Sequence, residues 1–208
     1  MNPRLRDVPA PRKANGIIGP AFGRIFALPY RVVLAGLVRA GFRPWHLTVL
    51  SLAGNLFAGW LLLGGQRVLP AFVLALAGIL DVFDGAVARL RGVATTWGAF
   101  LDSTCDRVAD VAVFSCLFWS LAGQGNDAGA AFALGALVTS FMVSDLRAEA
   151  EAGGLDLTTG AVQRLERYLL VLLGLVIPGA LTPVLAILTV LGLATAVQRS
   201  AVAWRQLR

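Results

Sequence analysis

The chain has 208 residues, of which 57% are hydrophobic and only 14% are charged, a composition outside the range of ordinary soluble domains. We therefore predict an all-α integral membrane protein. The net charge of +6 would suggest nucleic acid binding in a soluble protein, but the basic residues lie beside apolar segments. Anionic lipid headgroups explain them better, and no nucleic acid partner is expected. The first apolar run begins late and follows no small-residue cleavage site, so we expect no cleavable signal peptide.

The N-terminal region divides into two segments. Residues 1–20 contain proline, arginine and glycine without helical periodicity and are predicted to form a flexible basic tail. Residues 21–41 place apolar side chains among Arg24, Arg31 and Arg39, which predicts an amphipathic helix lying in the membrane interface. The Gly-Phe-Arg-Pro run at 41–44 is expected to end this helix.

Residues 42–208 are predicted to form a domain of six transmembrane helices. Apolar run length and turn residues place the spans at about 46–64, 69–90, 97–122, 127–150, 165–180 and 182–203. The loops on one side are rich in basic residues, whereas those on the other carry only Arg67. Because basic residues favour the cytoplasmic side, both termini are predicted to be cytoplasmic. Cys105 and Cys116 lie too far apart on one predicted helix to bridge each other and are expected to be free thiols.

Four carboxylates, Asp81, Asp84, Asp102 and Asp106, lie in otherwise apolar segments. Charged side chains at membrane depth are rare, face the bundle interior and usually mark a functional site. At 100° per residue, the first two share one face of a helix and the last two share one face of the next. Two helices joined by a short turn can direct all four into one pocket, whose oxygen ligands suit Mg²⁺, Mn²⁺ or Ca²⁺. The alternatives are two core helices with chance acidic residues and a divalent-cation transporter.

Residues 81–106 read D-x2-D-G-x2-A-R-x8-G-x3-D-x3-D, which matches the signature of the CDP-alcohol phosphotransferase family without a departure. By this signature the chain resembles that family. The resemblance implies that Asp81, Asp84 and Asp102 bind two metal ions, Mg²⁺ or Mn²⁺, and that Asp106 is both a ligand and the general base. It also implies contacts to the donor nucleotide from four residues: Thr48, Gly85, Arg89 and Thr95.

Two short runs, Asp102-Ser-Thr-Cys-Asp106-Arg and Glu166-Arg167, are similar to the actinobacterial phosphatidylinositol phosphate synthases. This resemblance implies an enzyme that transfers the phosphatidyl group of CDP-diacylglycerol to a hydroxyl of a polar alcohol and releases CMP. Inositol 1-phosphate is the expected acceptor, with glycerol 3-phosphate as the alternative. The resemblance further implies a homodimer, and the basic residues predict an active site facing the cytoplasm in the plasma membrane. The transporter is disfavoured because spans five and six offer almost no polar groups for an ion path.

Three arginines, one near the end of the fourth span and two after it, are predicted to form an anion pocket for the acceptor: Arg147, Arg164 and Arg167. The alternative is a topological role with local pairing, for instance of Arg147 with Glu151. Asp145 and Glu149 stand where the similar subgroup carries other residues, and acids there would repel a phosphate. An anion pocket therefore requires both to be turned away or paired with arginine. The role of Asp110 stays open between a partner for Arg107 and a site residue.

Overall fold

The computed structural model describes residues 27–155 and 164–207, which form helices and their connections without a strand. These residues form seven helices: α1 (Ala27–Arg39), α2 (Pro44–Leu63), α3 (Val68–Leu90), α4 (Thr96–Gly123), α5 (Asp127–Ala152), α6 (Arg164–Val176) and α7 (Leu181–Leu207). The all-α prediction is thus confirmed for the described residues. The predicted tail, 1–20, and the first part of the predicted amphipathic helix, 21–26, lie outside them.

Four of the described helices, α2, α3, α5 and α7, are long and apolar enough to cross a membrane. Helix α4 has 28 residues, but a stretch of nine residues within it carries four charged residues: Asp102, Asp106, Arg107 and Asp110. Helix α6 has 13 residues and is shorter than the predicted span at 165–180. The structure therefore supports a helical membrane protein, in which two of the six predicted spans lack the length or composition of an ordinary span.

Helices α2 to α7 form a closed ring in which each helix packs mainly against two others. The order around the ring is α3, α2, α4, α5, α7, α6 and back to α3. The apolar core lies between these helices and includes the fully buried side chains Leu74, Leu117 and Leu185. Because neighbours in the chain are not always neighbours in the ring, side chains far apart in sequence meet at one end of the bundle.

Helix α1 packs on α3 beside that end of the bundle. The rings of Tyr30 and Phe83 stack with their centroids 5.1 Å apart. Arg91, just after α3, donates a hydrogen bond of 2.8 Å to the carbonyl of Val38. Burial raises the pKa of the Tyr30 phenol above its ordinary value, and the nearby charge of Arg89 opposes that shift. Helix α1 is therefore fixed to the part of α3 that carries Asp81 and Asp84, two of the predicted metal ligands.

Helices α5 and α7 approach closely through two reciprocal threonine–glycine contacts. A Cβ atom on Gly135 would lie 2.7 Å from the Thr189 side chain, and one on Gly192 would lie 2.6 Å from Thr139. The Thr189 hydroxyl also donates to the Phe132 carbonyl across the interface, at 3.0 Å. Small residues that admit a side chain of the neighbouring helix are typical of close packing between membrane helices.

Candidate active site

A short turn joins the two helices that carry the four aspartates. Gly92 ends α3 with a φ of +66°, a left-handed conformation that glycine adopts without steric cost. The amide of Val93 donates back to the carbonyl of Ala88 at 3.0 Å, which closes the last turn of α3. Thr95 then caps α4, since its hydroxyl accepts a hydrogen bond of 3.0 Å from the Gly98 amide. The turn thus places the end of α3 beside the start of α4, and it gives Thr95 a structural contact besides the predicted nucleotide contact.

Three of the four predicted metal ligands converge. One carboxylate oxygen from each of Asp81, Asp102 and Asp106 can be chosen so that all three lie within 4.8 Å of one another. All three side chains are half-buried, and each comes from the helical face that the 100° spacing predicted. An all-carboxylate donor set fits a hard divalent cation such as Mg²⁺ or Mn²⁺ and does not fit the sulfur and imidazole preferences of zinc or copper.

The fourth aspartate, Asp84, is the most buried of the set, with 4% of its surface exposed. Its Oδ2 atom accepts a hydrogen bond of 2.6 Å from the Thr48 hydroxyl of α2, and its Oδ1 atom accepts one from the Gly85 amide. Hydrogen bonds of this kind orient carboxylates that bind metals. Thr48, predicted from the resemblance to contact the nucleotide, therefore also orients Asp84.

Gly85 and Arg89, two further residues predicted to bind the donor, are in contact. A Cβ atom on Gly85 would lie 3.2 Å from an Nη atom of Arg89, so the guanidinium lies over the glycine. The Arg89 side chain is exposed. A guanidinium one turn from the buried Asp84 can bind a phosphate group brought to the carboxylate cluster.

Arg164 links the carboxylate cluster to α6. Its Nη1 atom forms ion pairs with Asp106 and, at 3.4 Å, with Oδ2 of Asp81. One arginine therefore balances part of the negative charge that three carboxylates bring into a partly buried site. The sequence predicted Arg164 as an acceptor residue, and the structure places it against the predicted base.

A cavity of about 430 Å³ adjoins this cluster at the same end of the bundle. Its wall comes from α4, α5, α6 and α7, and it contains four acidic and five basic residues: Asp102, Asp106, Asp110, Glu151, Arg107, Arg147, Arg164, Arg167 and Arg199. All three arginines predicted to bind the acceptor lie in this wall. The structure thus brings the predicted base and the predicted acceptor residues into one cavity.

The two arginines of the predicted acceptor site other than Arg164 have carboxylate partners. Arg147 pairs with Glu151 at 2.7 Å, as the alternative reading of the sequence expected, and about half of each side chain is exposed. Arg167 pairs with Asp110 at 2.8 Å. Asp145 and Glu149 are exposed and lie outside the cavity wall, as an anion pocket requires.

Sequence reasoning missed two basic residues of the cavity, Arg107 and Arg199. Arg199 lies in the last helix, is 4% exposed and donates a hydrogen bond of 2.7 Å to the Val143 carbonyl. Arg107 donates to the carbonyl and hydroxyl of Ser103 one turn earlier. The available signal for Arg199 was a basic residue within a long apolar run, which is costly unless it serves a site.

The chain matches known proteins over most of its length. The family model for CDP-alcohol phosphatidyltransferase matches residues 42–198. The phosphatidylinositol phosphate synthase of Mycobacteroides abscessus is 37% identical over 182 residues, which cover 84% of this chain and 83% of that protein.

Solved structures of the Mycobacterium tuberculosis phosphatidylinositol phosphate synthase share the fold. The crystal structure with CDP-DAG bound has a TM-score of 0.75 and 35% identity, over 83% of this chain and 92% of that one. The complex with manganese and citrate has a TM-score of 0.74 and 34% identity, over 83% and 87% of the two chains. A family model that covers most of the chain, relatives above 30% identity and a shared fold together lead to one conclusion: the chain belongs to the CDP-alcohol phosphatidyltransferase family.

Proposed function

We propose that the protein transfers the phosphatidyl group of CDP-diacylglycerol (CDP-DAG) to a hydroxyl of inositol 1-phosphate and releases CMP. The observation that carries this proposal is the shared cavity: Asp102 and Asp106 line the same wall as five arginines. A phosphorylated acceptor needs cationic donors next to the group that activates its hydroxyl, and charge-assisted bonds to arginine are strong and geometrically specific. The names of the relatives, phosphatidylinositol phosphate synthases, support the same acceptor.

In the proposed reaction, Asp106 accepts the proton of the acceptor hydroxyl. The oxygen so activated attacks the phosphorus atom that carries the diacylglycerol, and the bond from that phosphorus to the bridging oxygen of the CMP group breaks. CMP leaves with the electron pair of that bond. Arg164 contacts Asp106 and lines the cavity, so it can hold the anionic group of the acceptor beside the base.

We propose that Asp81, Asp84, Asp102 and Asp106 hold two divalent ions, Mg²⁺ or Mn²⁺. The convergence of three carboxylates and the manganese complex of a related enzyme support divalent-ion use. Bound ions would supply neutralisation of the charge on the phosphoryl and leaving oxygens. The family to which the chain belongs is one of enzymes, which favours this reading over a divalent-cation transporter.

The donor site is proposed to lie at the ends of α2 and α3. Gly85 and Arg89 are in contact there, and Thr48 reaches the same region through Asp84. Thr95, which caps the next helix, is proposed to add a nucleotide contact. The acyl chains of the donor would remain in the lipid beside the bundle.

We further propose six membrane spans, α2 to α7, with α1 in the interface after a basic tail at 1–20. The protein would lie in the plasma membrane, with both termini and the active site facing the cytoplasm. Two copies would form a homodimer. The side-specific distribution of basic residues supports this orientation. Reporters fused at both termini should read as cytoplasmic, and one in the loop at 123–127 as external. A cytoplasmic reading from that loop would contradict the six-span arrangement.

The test of the activity is CMP release from CDP-DAG by the purified protein with a panel of acceptors: inositol 1-phosphate, glycerol 3-phosphate and unphosphorylated inositol. Inositol 1-phosphate should give the highest kcat/KM, and both a chelator of divalent ions and Asp106→Asn should abolish release. Preference for glycerol 3-phosphate would leave the reaction class intact and replace the acceptor. Release that persists in Asp106→Asn would refute the assignment of the base.

A further inference from the structure

The aspartate one turn beyond the proposed base, Asp110, lies where three helices meet. Its Oδ2 atom accepts a hydrogen bond of 2.6 Å from the hydroxyl of Ser140 and one of 2.8 Å from Nη2 of Arg167. The three residues belong to α4, α5 and α6. Asp110 and Arg167 both line the large cavity beside the proposed base. One carboxylate oxygen of α4 therefore holds contacts to both α5 and α6 in the wall of this cavity.

Burial distinguishes the Arg167–Asp110 pair from the Arg147–Glu151 pair of the same wall. The side chains of Arg167 and Asp110 are 14% and 16% exposed, whereas those of Arg147 and Glu151 are 51% and 49% exposed. Ser140 is 4% exposed. An exposed ion pair fixes its members weakly, because water competes for both partners. A buried pair holds its arginine in one place, since breaking it leaves an unpaired charge away from water.

Arg167 keeps donors to spare in this arrangement. A guanidinium has five N–H donors, and the contact with Asp110 uses the Nη2 nitrogen. The remaining N–H groups of Arg167 can donate to an anion in the cavity that it lines. Asp110 accepts two hydrogen bonds on the same oxygen, so it stays in place while Arg167 binds.

We infer that Asp110, supported by Ser140, is a positioning residue that holds Arg167 in the cavity wall for an anionic acceptor. This inference rests on the proposed function, because it requires an acceptor that carries a phosphate. The contacts of the Asp110 carboxylate are with Ser140 and Arg167, so its proposed action is through Arg167 and not on the reacting atoms. Its loss should therefore weaken acceptor binding without weakening donor binding.

The experiment compares the acceptor KM and the donor KM of Asp110→Asn and Ser140→Ala, with CMP release from CDP-DAG as the assay. Asp110→Asn should raise the KM for inositol 1-phosphate about tenfold or more, the factor expected when a hydrogen bond between charged groups is lost, with little change in the donor KM. Ser140→Ala removes one hydrogen bond to Asp110 and should raise the same KM to a smaller extent. Asp127→Asn and Ser120→Ala make the same chemical changes at the other end of the bundle and should leave both constants as in the unmodified protein.

A double-mutant cycle separates positioning from a general structural role. In an Arg167→Gln background, Asp110→Asn should change the acceptor KM by less than about twofold, because Arg167 is the route through which Asp110 acts. If Asp110→Asn raises the acceptor KM as much in the Arg167→Gln background as in the unmodified protein, the inference is overturned. It is also overturned if Asp110→Asn alone raises the donor KM and the acceptor KM by the same factor. If Asp110→Asn cannot be purified folded, Ser140→Ala carries the test, and an unchanged acceptor KM in that variant overturns the inference.

Failure of the proposed function has a different signature. An unmodified protein that releases no CMP with any phosphorylated acceptor would refute the proposed function. If it instead prefers glycerol 3-phosphate, the same variants are measured with that acceptor. An unchanged KM for the preferred phosphorylated acceptor in both variants then counts against the role of Asp110 alone.

Discussion

Substitution of Gly78 by alanine tests how α6 is held against α3. A Cβ atom on Gly78 would lie 2.6 Å from Cε1 and 3.1 Å from Cδ1 of Tyr168. Carbon atoms in contact prefer separations of about 3.5–4.0 Å, so the ring would have to retreat by about 1 Å. The Tyr168 hydroxyl lies 2.8 Å from the Leu74 carbonyl and 3.0 Å from Oδ1 of Asn55, and these contacts would be lost or stretched.

The expected cost follows from three contributions. Overpacking of this kind costs about 1–3 kcal/mol. Loss of the hydroxyl's hydrogen bonding adds about 0.5–1.5 kcal/mol. Alanine recovers about 0.5–1 kcal/mol over glycine inside a helix. The net destabilisation is about 0.5–4 kcal/mol, which for a chain of this length lowers the thermal midpoint by roughly 1–16 °C.

The measurement is thermal unfolding of the purified protein together with the acceptor KM. Gly36→Ala is the matched control, because nothing lies within 4 Å of a Cβ atom at that helical glycine, and it should be neutral or slightly stabilising. Tyr168→Leu should partly rescue Gly78→Ala, whereas Tyr168→Phe keeps the ring and should not. Since α6 carries Arg164 and Arg167, Gly78→Ala should also raise the acceptor KM. If Gly78→Ala and Gly36→Ala prove equally stable, the tight contact of Tyr168 with Gly78 does not hold α6 against α3.

Three further changes test other parts of the bundle. Thr48→Val removes the hydrogen bond to Asp84, so it should lower kcat/KM about tenfold or more and weaken Mn²⁺ binding. If the variant binds Mn²⁺ as tightly as the parent, Thr48 does not orient Asp84 for the ion. Asp102→Asn should abolish CMP release and reduce Mn²⁺ affinity measured by magnetic resonance, and near-normal turnover at low ion concentration would contradict its role as a ligand. Gly192→Val should destabilise the protein by about 1–3 kcal/mol, because the new side chain meets Thr139. Thr139→Ala should restore part of the loss. If Gly192→Val is as stable as the parent, the packing of α5 on α7 does not depend on this contact.

The convergence of the carboxylates could be predicted because it depends on local rules. Helical periodicity sets which faces carry Asp81 and Asp102, and a short turn with a glycine brings the two helices side by side. The same rules placed α2, α3, α5 and α7 close to their observed bounds. Local sequence is sufficient wherever the partners are one turn of helix or one loop apart.

The rest of the site depends on which helices are neighbours in the ring, and periodicity does not encode that. Thr48 and Asp84 meet because α2 packs on α3, and Arg199 meets Val143 because α7 packs on α5. The pairing of Arg164 with Asp106 requires α6 to close the ring beside α3. The predicted span at 165–180 also extends beyond the end of the observed α6 at Val176, because the Pro-Gly turn at 178–179 interrupts its apolar run.

The closing of the ring by α6 has a consequence for how the protein is made. Arg167 follows Asp110 by 57 residues and Arg164 follows Asp81 by 83, so at ribosomal rates of about 5–20 residues per second these acids exist for roughly 3–17 s before their arginine partners are synthesised. During that interval their stabilisation must come from water, ions or headgroups at the membrane surface. Asp81 and Asp110 lie near the middle of α3 and α4, where an acid without a partner is costly unless water or an ion reaches it. Late synthesis of α6 therefore requires that water or ions have access to these acids until the ring closes.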